Sequence, residues 1–156
     1  MSFDIFNANI EELSQANSNY RKVIFTSPSD KMQLVLMSLK AKEEIGIEKH
    51  NEADQFIRIE KGNGKVQYGN DLNKLSEVAL KDGSVVIIPA NTWHNIINTD
   101  DSELKLYTIY SQPQHKKSLV QVDKPLTQDG GNVSDHLHHQ KYLMFKSKYL
   151  SQKNQF

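Results

Sequence analysis

The chain has 156 residues, enough for one domain with its own hydrophobic core and a short extension. Lysine plus arginine and aspartate plus glutamate both number 19, so the formal net charge is zero. This balance argues against a nucleic-acid binder or a polybasic membrane-surface protein, because both carry an excess of positive charge. Cysteine is absent, which excludes disulfides, thiolate zinc sites and cysteine nucleophiles.

The N-terminal sequence, MSFDIFNANIEEL, has early acidic residues and no long apolar stretch, so it does not resemble a secretory signal. No segment approaches the roughly 18 consecutive apolar residues that span a bilayer. We therefore expect a cytoplasmic protein with neither a membrane nor a nucleic acid as its partner.

The first predicted element is a short helix over residues 2–16, because apolar side chains recur there at spacings of three and four. These side chains are Phe3, Phe6, Ile10 and Leu13. Ser2 or Asn7 is the expected N-cap. We expect this helix to lie as a lid on the domain that follows.

Seven short segments rich in β-branched and aromatic residues come next, separated by turn-forming sequences. They are Lys22–Thr26, Gln33–Leu39, Gln55–Glu60, Lys65–Tyr68, Ser84–Ile88, His94–Asn98 and Leu104–Tyr110. Gly62 and Gly64 lie in one of the turns, where a positive φ is expected. No helical pattern separates the segments, so the sequence predicts an all-β antiparallel sandwich or barrel over about residues 20–112.

The C-terminal part has a different composition, with two prolines and a Gly-Gly pair within residues 112–133. We divide the chain into a barrel domain with the N-terminal helix at 1–115, an arm or linker at 116–133 and a helical extension at 134–156. Ser134 or Asp135 is the expected N-cap of that extension. Its histidines lack an accompanying acidic or cysteine framework, so we interpret them as a solvated helix start. They are His136, His138 and His139.

Four residues form a candidate metal site. Glu48 and His50 are two apart, so on one strand their side chains face the same side. Gln55 can return from a later strand and His94 from a distant segment. Two imidazole nitrogens and two oxygens suit a divalent ion such as Zn, Mn, Fe, Ni or Co. The sequence therefore predicts a metal centre of these four ligands.

The segment that contains His94 resembles the second motif of the cupin superfamily, Gly-x5-Pro-x-Gly-x2-His-x3-Asn. The matching residues are Gly83, Pro89, His94 and Asn98, with Asn91 at the second glycine position. Asparagine is a mild replacement there, because it also tolerates a left-handed turn.

The first cupin motif, Gly-x5-His-x-His-x3/4-Glu-x6-Gly, can be aligned in two ways. If His50 takes the first histidine position, Glu52 falls on the second, and the interval to Gln55 is too short. If His50 takes the second position, Glu48 replaces the first histidine, and both Gln55 and Gly62 follow at the family spacing. We adopt the second alignment.

This chain departs from the first motif at three positions, since Lys42 stands for the opening glycine, Glu48 for a histidine and Gln55 for the acidic ligand. A neutral amide is a weaker ligand than a carboxylate, while Glu48 restores one negative charge. Glu52 and Asp54 are expected in a solvated loop, and either becomes a substitute ligand under the other alignment.

Over about residues 8–115 the chain looks like small single-domain bacterial-type cupins that are often associated by name with mannose-6-phosphate isomerase. The resemblance implies a double-stranded β-helix, that is, a jelly-roll barrel. It also implies a bound divalent metal ion, a small-molecule substrate of the sugar class and a homodimer.

Three functions are compatible with this resemblance. The first is metal-dependent aldose–ketose isomerisation of a small sugar or sugar phosphate, with Glu48 as ligand or base and Tyr107 as an acid or base from the last strand. Strand parity leaves Tyr110 and Lys105 open for the second role. The alternatives are a non-catalytic module that binds a small carbohydrate or metabolite, and an Fe(II)-dependent dioxygenase.

No cluster of basic residues marks a phosphate site, and Arg58 is expected in an outer-face ion pair.

The final segment, HHQKYLMFKSKYLSQK, resembles the Lys/Tyr/Leu-rich stretches that terminate many giant-virus proteins. This resemblance implies a viral protein located in the host cytoplasm or the virion. Physically the segment is an amphipathic basic helix, for which we expect a role as an appendage or a self-association element.

Overall fold

The structure is a computed structural model that describes residues 5–126. This part contains one helix, α1 (Ile10–Ala16). Its strands are β1 (Arg21–Thr26), β2 (Gln33–Leu39), β3 (Gln55–Lys61), β4 (Asn63–Gly69), β5 (Ser76–Lys81), β6 (Val85–Ile88), β7 (Trp93–Asn98), β8 (Leu104–Tyr110) and β9 (Val120–Gln121). The helix predicted at 134–156, with its caps and histidines, lies outside the described residues.

The strands form two antiparallel sheets with one core between them. One sheet has the order β6-β3-β8-β2-β1-β9, and the other has the order β5-β4-β7. Side chains alternate along each strand, so one face of every strand points into the core. Fully buried side chains of this core include Val35, Met37, Leu39, Ile57, Ile59, Ile96, Leu104 and Leu106. The predicted all-β barrel is therefore confirmed, and the architecture is that of a jelly roll.

All seven predicted strands are present, and the structure adds two. The sequence of β5, SEVALK, has three consecutive apolar residues between polar ones, so it lacks the alternation from which a strand could be recognised, and only Leu80 is buried. Strand β9 lies in the predicted arm and pairs with β1 at the sheet edge. Backbone bonds from Tyr20 to Val122 and from Val23 to Leu119 extend this contact. The first part of the predicted arm is thus attached to the barrel.

Helix α1 is shorter than predicted and has a different N-cap. Asn9, rather than Asn7 or the N-terminal serine, accepts a hydrogen bond from a first-turn backbone N–H at 3.2 Å. Phe6 precedes the helix, and its ring packs 5.4 Å from that of Phe25. Phe6, which the apolar spacing placed in the predicted helix, therefore packs on β1 and is not part of a helical turn.

The helix covers part of the larger sheet, where it contacts β2, β3 and β8. Lys105 lies beneath this end of the chain and is 4% exposed. Its Nζ donates to the Asn17 carbonyl oxygen and lies 3.0 Å from Glu103 Oε2. Since its neighbours on β8 point into the core, Lys105 faces away from the barrel interior. It is therefore not the catalytic group of the last strand.

Several turn positions have the backbone conformation that the motifs require. Gly62 has φ +92°, as predicted, whereas Gly64 does not have a positive φ. A Cβ on Gly64 would lie 2.6 Å from the Ile97 carbonyl oxygen, so close strand contact explains this glycine. Asn91 and Lys42, which occupy glycine positions of the cupin motifs, have φ +63° and +60°. The left-handed turn predicted for Asn91 is confirmed.

Arg58 faces outward from β3 and forms an ion pair with Glu60, whose side chain is nearly fully buried. The prediction of an outer-face ion pair is confirmed. Arg58 is therefore not available to a ligand in the barrel interior.

Candidate metal centre

Glu48, His50 and His94 meet in the barrel near the first residues of β3 and β7. Oε1 of Glu48 lies 3.4 Å from Nε2 of His50 and 3.4 Å from Nε2 of His94. The potential ligand atoms of the three side chains all lie within 4.8 Å of one another. One divalent ion can contact all three, because its bonds to nitrogen and carboxylate oxygen are about 2.0–2.2 Å long.

The position of Glu48 results from direct backbone pairing with His94. Each residue donates its N–H to the carbonyl oxygen of the other, at 2.9 Å in both directions. Ile45 continues this pairing through a bond to Ile96. Residues directly opposite each other on antiparallel chains have adjacent side chains on the same face. The carboxylate is thereby placed beside the imidazole.

The turn at Asn91 holds His50 in place. The backbone N–H of Asn91 donates to the His50 carbonyl oxygen at 2.8 Å. Asn91 makes this contact from its left-handed conformation. The second motif therefore positions a ligand of the first motif as well as its own histidine.

The ring of His94 is oriented by a hydrogen bond to its own turn. Nδ1 lies 2.8 Å from the Thr92 carbonyl oxygen, an acceptor, so we assign the proton to Nδ1. Nε2 faces the Glu48 carboxylate. A metal-ligating histidine is commonly oriented by such a bond from its other nitrogen.

The electrostatics favour an ionised carboxylate at the centre of the cluster. Burial by itself raises the pKa of Glu48, but the neighbouring His50 and His94 outweigh it and hold this pKa well below its usual range. Glu48 is therefore negatively charged at neutral pH. Metal ligation requires this deprotonated form.

Gln55 has an oxygen available for a ligand. The residue is 1% exposed, and its Nε2 donates to Thr108 Oγ1 at 3.0 Å and to the Tyr110 hydroxyl at 3.3 Å. Its Oε1 is buried and makes no hydrogen bond within residues 5–126. A buried acceptor without a partner is costly, which fits an oxygen that receives a metal ion or a polar ligand.

The prediction of Tyr107 as a catalytic residue needs correction. Its ring packs 6.0 Å from that of Phe56 on the outer face of the sheet, because successive residues of β8 point to opposite sides. Tyr110 faces the interior, is 1% exposed and has its ring 5.2 Å from that of His50. The tyrosine of the candidate site is therefore Tyr110.

Sequence reasoning misses three polar residues of the barrel interior. Gln33 is fully buried and Arg21 is 8% exposed. The His115 ring lies 5.5 Å from that of Tyr110. Arg21 is in phase with the inward-facing Val23, and Gln33 is likewise in phase with the interior residues of β2, so strand parity could have identified both. His115 follows the last predicted strand and carries no comparable signal.

An apolar groove lies between β5 and β6, each of which is an edge strand of its sheet. Its walls include Val66, Tyr68, Leu80, Val86, Ile88 and Thr92. Tyr68 is directly opposite His94 in the pairing of β4 with β7, and Thr92 holds the His94 ring. The groove therefore lies next to the strand pair that carries one of the candidate ligands.

These observations define a small antiparallel β-barrel with an interior candidate site for a divalent ion. The family model described as "Cupin domain" matches residues 35–110, which contain all four predicted ligands. The chain belongs to the cupin family. No helix in the described part of the chain is long and apolar enough to cross a membrane.

The proteins to which this chain is similar include two curated proteins and the protein of one crystal structure. An uncharacterised protein of Acanthamoeba polyphaga mimivirus is 42% identical over 147 residues, which cover 94% of this chain and 89% of that protein. The uncharacterised protein YrkC of Bacillus subtilis is 40% identical over 120 residues, 76% of this chain and 63% of YrkC. The crystal structure of BH2720 from Bacillus halodurans is 40% identical, has a TM-score of 0.75 and aligns over 78% of this chain and 92% of that one.

Proposed function

We propose that this chain is a divalent-metal-dependent enzyme that acts on a small sugar or sugar phosphate, with aldose–ketose isomerisation as its reaction. The observation that carries the proposal is the convergence of Glu48, His50 and His94 within 4.8 Å. Gln55, whose buried Oε1 is unpartnered within residues 5–126, donates to the Tyr110 hydroxyl, and the Tyr110 ring lies 5.2 Å from that of His50. This donor set fits a divalent ion with coordination positions left for a substrate.

A divalent ion held by Glu48, His50 and His94 would supply Lewis acidity, that is, the ability to polarise a carbonyl oxygen. The chain's own residues provide the remaining functions. A carboxylate has two oxygens, so Glu48 can serve as a ligand with one and accept a proton with the other. Burial raises the pKa of Tyr110, so its hydroxyl remains protonated and can donate to a substrate oxygen. Tyr110 is buried and the Glu48 side chain is only 16% exposed, which limits the access of water.

The first experiment measures the metal content of the purified full-length protein and of the variant His50→Ala/His94→Ala. We expect about one divalent ion per chain in the wild type and none in the double variant. Equal metal content in both would contradict the site. The metal-loaded wild type is then incubated with mannose 6-phosphate, and the formation of fructose 6-phosphate is measured. Bound metal without product would contradict this reaction while leaving the site intact.

One observation favours a second reaction class. Two histidines and one carboxylate form the ligand set typical of non-haem Fe(II) oxygenases. Oxygen consumption after anaerobic loading with Fe(II) would assign the chain to that class. Stabilisation by a carbohydrate, without turnover in either assay, would instead assign a non-catalytic binding module.

We also propose that the protein is a cytoplasmic homodimer. The proposal is supported by β6, which lies at the edge of the larger sheet and has Val85 and Ile87 49% and 67% exposed. Apolar side chains on an exposed edge strand favour pairing with a second copy. Light scattering should give the mass of a dimer for the wild type and of a monomer for Ile87→Lys. A monomeric wild type would contradict the proposal.

A further inference from the structure

The barrel contains a buried positive charge that the candidate metal centre does not use. Arg21 on β1 lies directly opposite Met37, a core residue of β2, so its side chain starts on the interior face. The residue is 8% exposed. None of the ion pairs among residues 5–126 involves its guanidinium. A buried charge without an ionic partner is unfavourable, so this arginine requires an explanation.

The described contacts of the guanidinium are neutral. Nη1 donates to Gln121 Oε1 at 2.8 Å, and the group lies 5.1 Å from the centre of the Tyr20 ring. Its Nε is buried and makes no hydrogen bond to any residue of the described part. The guanidinium therefore retains both its charge and a donor for an additional partner.

A second polar group, the imidazole of His115, lies on the same side of the barrel, and Gln33 on β2 fixes the backbone that carries it. The Gln33 Oε1 accepts hydrogen bonds from the backbone N–H groups of Gln114 and His115, at 3.0 and 3.1 Å. Its Nε2 donates to the His115 carbonyl oxygen at 2.8 Å. Three bonds from one fully buried amide thus hold the segment that carries this imidazole. The Nε2 of His115 is buried and has no hydrogen-bond partner within residues 5–126.

Tyr110 connects this side of the barrel to the candidate metal centre. Its ring lies 5.2 Å from the ring of His50 and 5.5 Å from that of His115. Burial lowers the pKa of His115 to about 3, and the positive charge of Arg21 contributes in the same direction. Arg21 also opposes the burial that raises the pKa of Tyr110. The positive charge of Arg21 thus favours the neutral form of His115 and opposes the effect of burial on Tyr110.

We propose that Arg21 and His115 bind an anionic group of the substrate, a carboxylate or a phosphate, while the other end of the substrate reaches Glu48, His50 and His94. Only the second half of this proposal rests on the proposed function. A guanidinium and a neutral imidazole N–H are both hydrogen-bond donors, and an anion offsets the buried charge. The pair supplies the basic group that a sugar phosphate or sugar acid requires.

The test titrates full-length protein with inorganic phosphate and, separately, with malonate, and measures binding by calorimetry and melting temperature. We expect Arg21→Gln to weaken binding of the preferred anion by about tenfold or more, equivalent to about 1.4 kcal/mol. Lys22→Gln is the matched control, since it removes the same charge from the neighbouring, exposed position of β1. Tighter binding of phosphate would indicate a phosphate group in the substrate, and tighter binding of malonate would indicate a carboxylate. Equal affinity of wild type and Arg21→Gln for both anions would overturn the proposal.

Two further variants separate binding from a structural role. Without anion, Arg21→Met should melt at the same temperature as the wild type or higher, because it removes an uncompensated buried charge. An equal loss of melting temperature with and without anion would mean that Arg21 only supports the fold, and would overturn the proposal. If the Arg21 variants do not fold, His115→Gln takes their place, and undiminished anion binding in it would count against the site.

The anion site and the metal centre can fail independently. The variant His50→Ala/His94→Ala and the chelator-treated wild type should both still bind the preferred anion. Anion binding without any metal binding would contradict the proposed function alone. Metal binding with no effect of Arg21→Gln on either anion would contradict only the anion site.

Discussion

Glu48 and His94 exchange both of their backbone hydrogen bonds, and their side chains approach to 3.4 Å on the interior face of the barrel. An isolated β-bridge therefore fixes the carboxylate beside the histidine of β7, although the two residues are far apart along the chain. A change at either residue should alter the metal centre without removing the backbone pairing.

The charge of Glu48 should determine metal affinity. Glu48→Gln keeps the shape of the side chain but removes the anion, so we expect Zn²⁺ affinity to fall by about tenfold or more, the range typical of lost metal-site interactions. Competition with a chromophoric chelator measures the change. Glu52→Gln is the matched control, since Glu52 is exposed in the neighbouring loop. If Glu52→Gln had the larger effect, the other alignment of the first motif would be correct.

A carboxylate in place of Gln55 should strengthen metal binding. Gln55→Glu replaces the unpartnered amide oxygen with a charged ligand, and we expect Zn²⁺ affinity to increase by about tenfold. Without metal, the same variant should be less stable than the wild type, because a second buried carboxylate lies near Glu48. Melting curves recorded with and without Zn²⁺ measure both effects. If Zn²⁺ did not change the melting temperature of Gln55→Glu, the side chain of residue 55 would not face the ion.

Acid should destabilise the protein through His115. The pKa of this residue is lowered from 6.5 to about 3 on folding, so between these values the unfolded chain binds a proton that the folded chain does not. The stabilisation is complete above pH 6.5 and is lost as the pH falls towards 3. Its contribution to the slope is at most about 1.4 kcal/mol per pH unit.

Urea unfolding at pH 7 and pH 5 tests this dependence. The free energy of unfolding should fall less between the two pH values in His115→Gln than in the wild type. Parallel curves for the two proteins would mean that the imidazole titrates normally in the folded state.

The turn at Asn91 should tolerate glycine and reject a β-branched residue. Its φ of +63° is left-handed, which costs an ordinary L-residue about 1–2 kcal/mol. We expect Asn91→Gly to change the free energy of unfolding little and Asn91→Val to lower it by about that amount. The valine variant should also bind metal more weakly, since Asn91 holds the His50 carbonyl. Chemical denaturation and metal titration of both variants provide the measurement.

Much of the architecture could be predicted from local patterns. Alternating apolar residues identified seven strands, and the spacing of Glu48, His50 and His94 within two motifs indicated that they converge. Asn91 was recognisable as a left-handed turn because few residues other than glycine adopt one. The strands and the turn depend on residues that are close together in the sequence, whereas the convergence of Glu48 and His50 with the distant His94 was implied by the resemblance to the cupin motifs.

Other features depended on contacts between distant segments. Strand β5 has a single buried side chain, so its sequence does not distinguish it from a loop. Alternation shows that Tyr107 and Tyr110 point to opposite faces, but only the pairing of β8 with its neighbours determines which face is the interior. The buried charge of Arg21 became visible when β1 was placed opposite β2.

The sequence by itself therefore determined the class of fold, most of its strands and the residues of the candidate metal centre, because period-two patterns and motif spacing are local. Tertiary structure alone decided that Tyr110 rather than Tyr107 lines the interior and that Arg21 and His115 lie on the same side of it. The physical reason is that burial and electrostatic interactions depend on distances between atoms, which the packing of the two sheets sets.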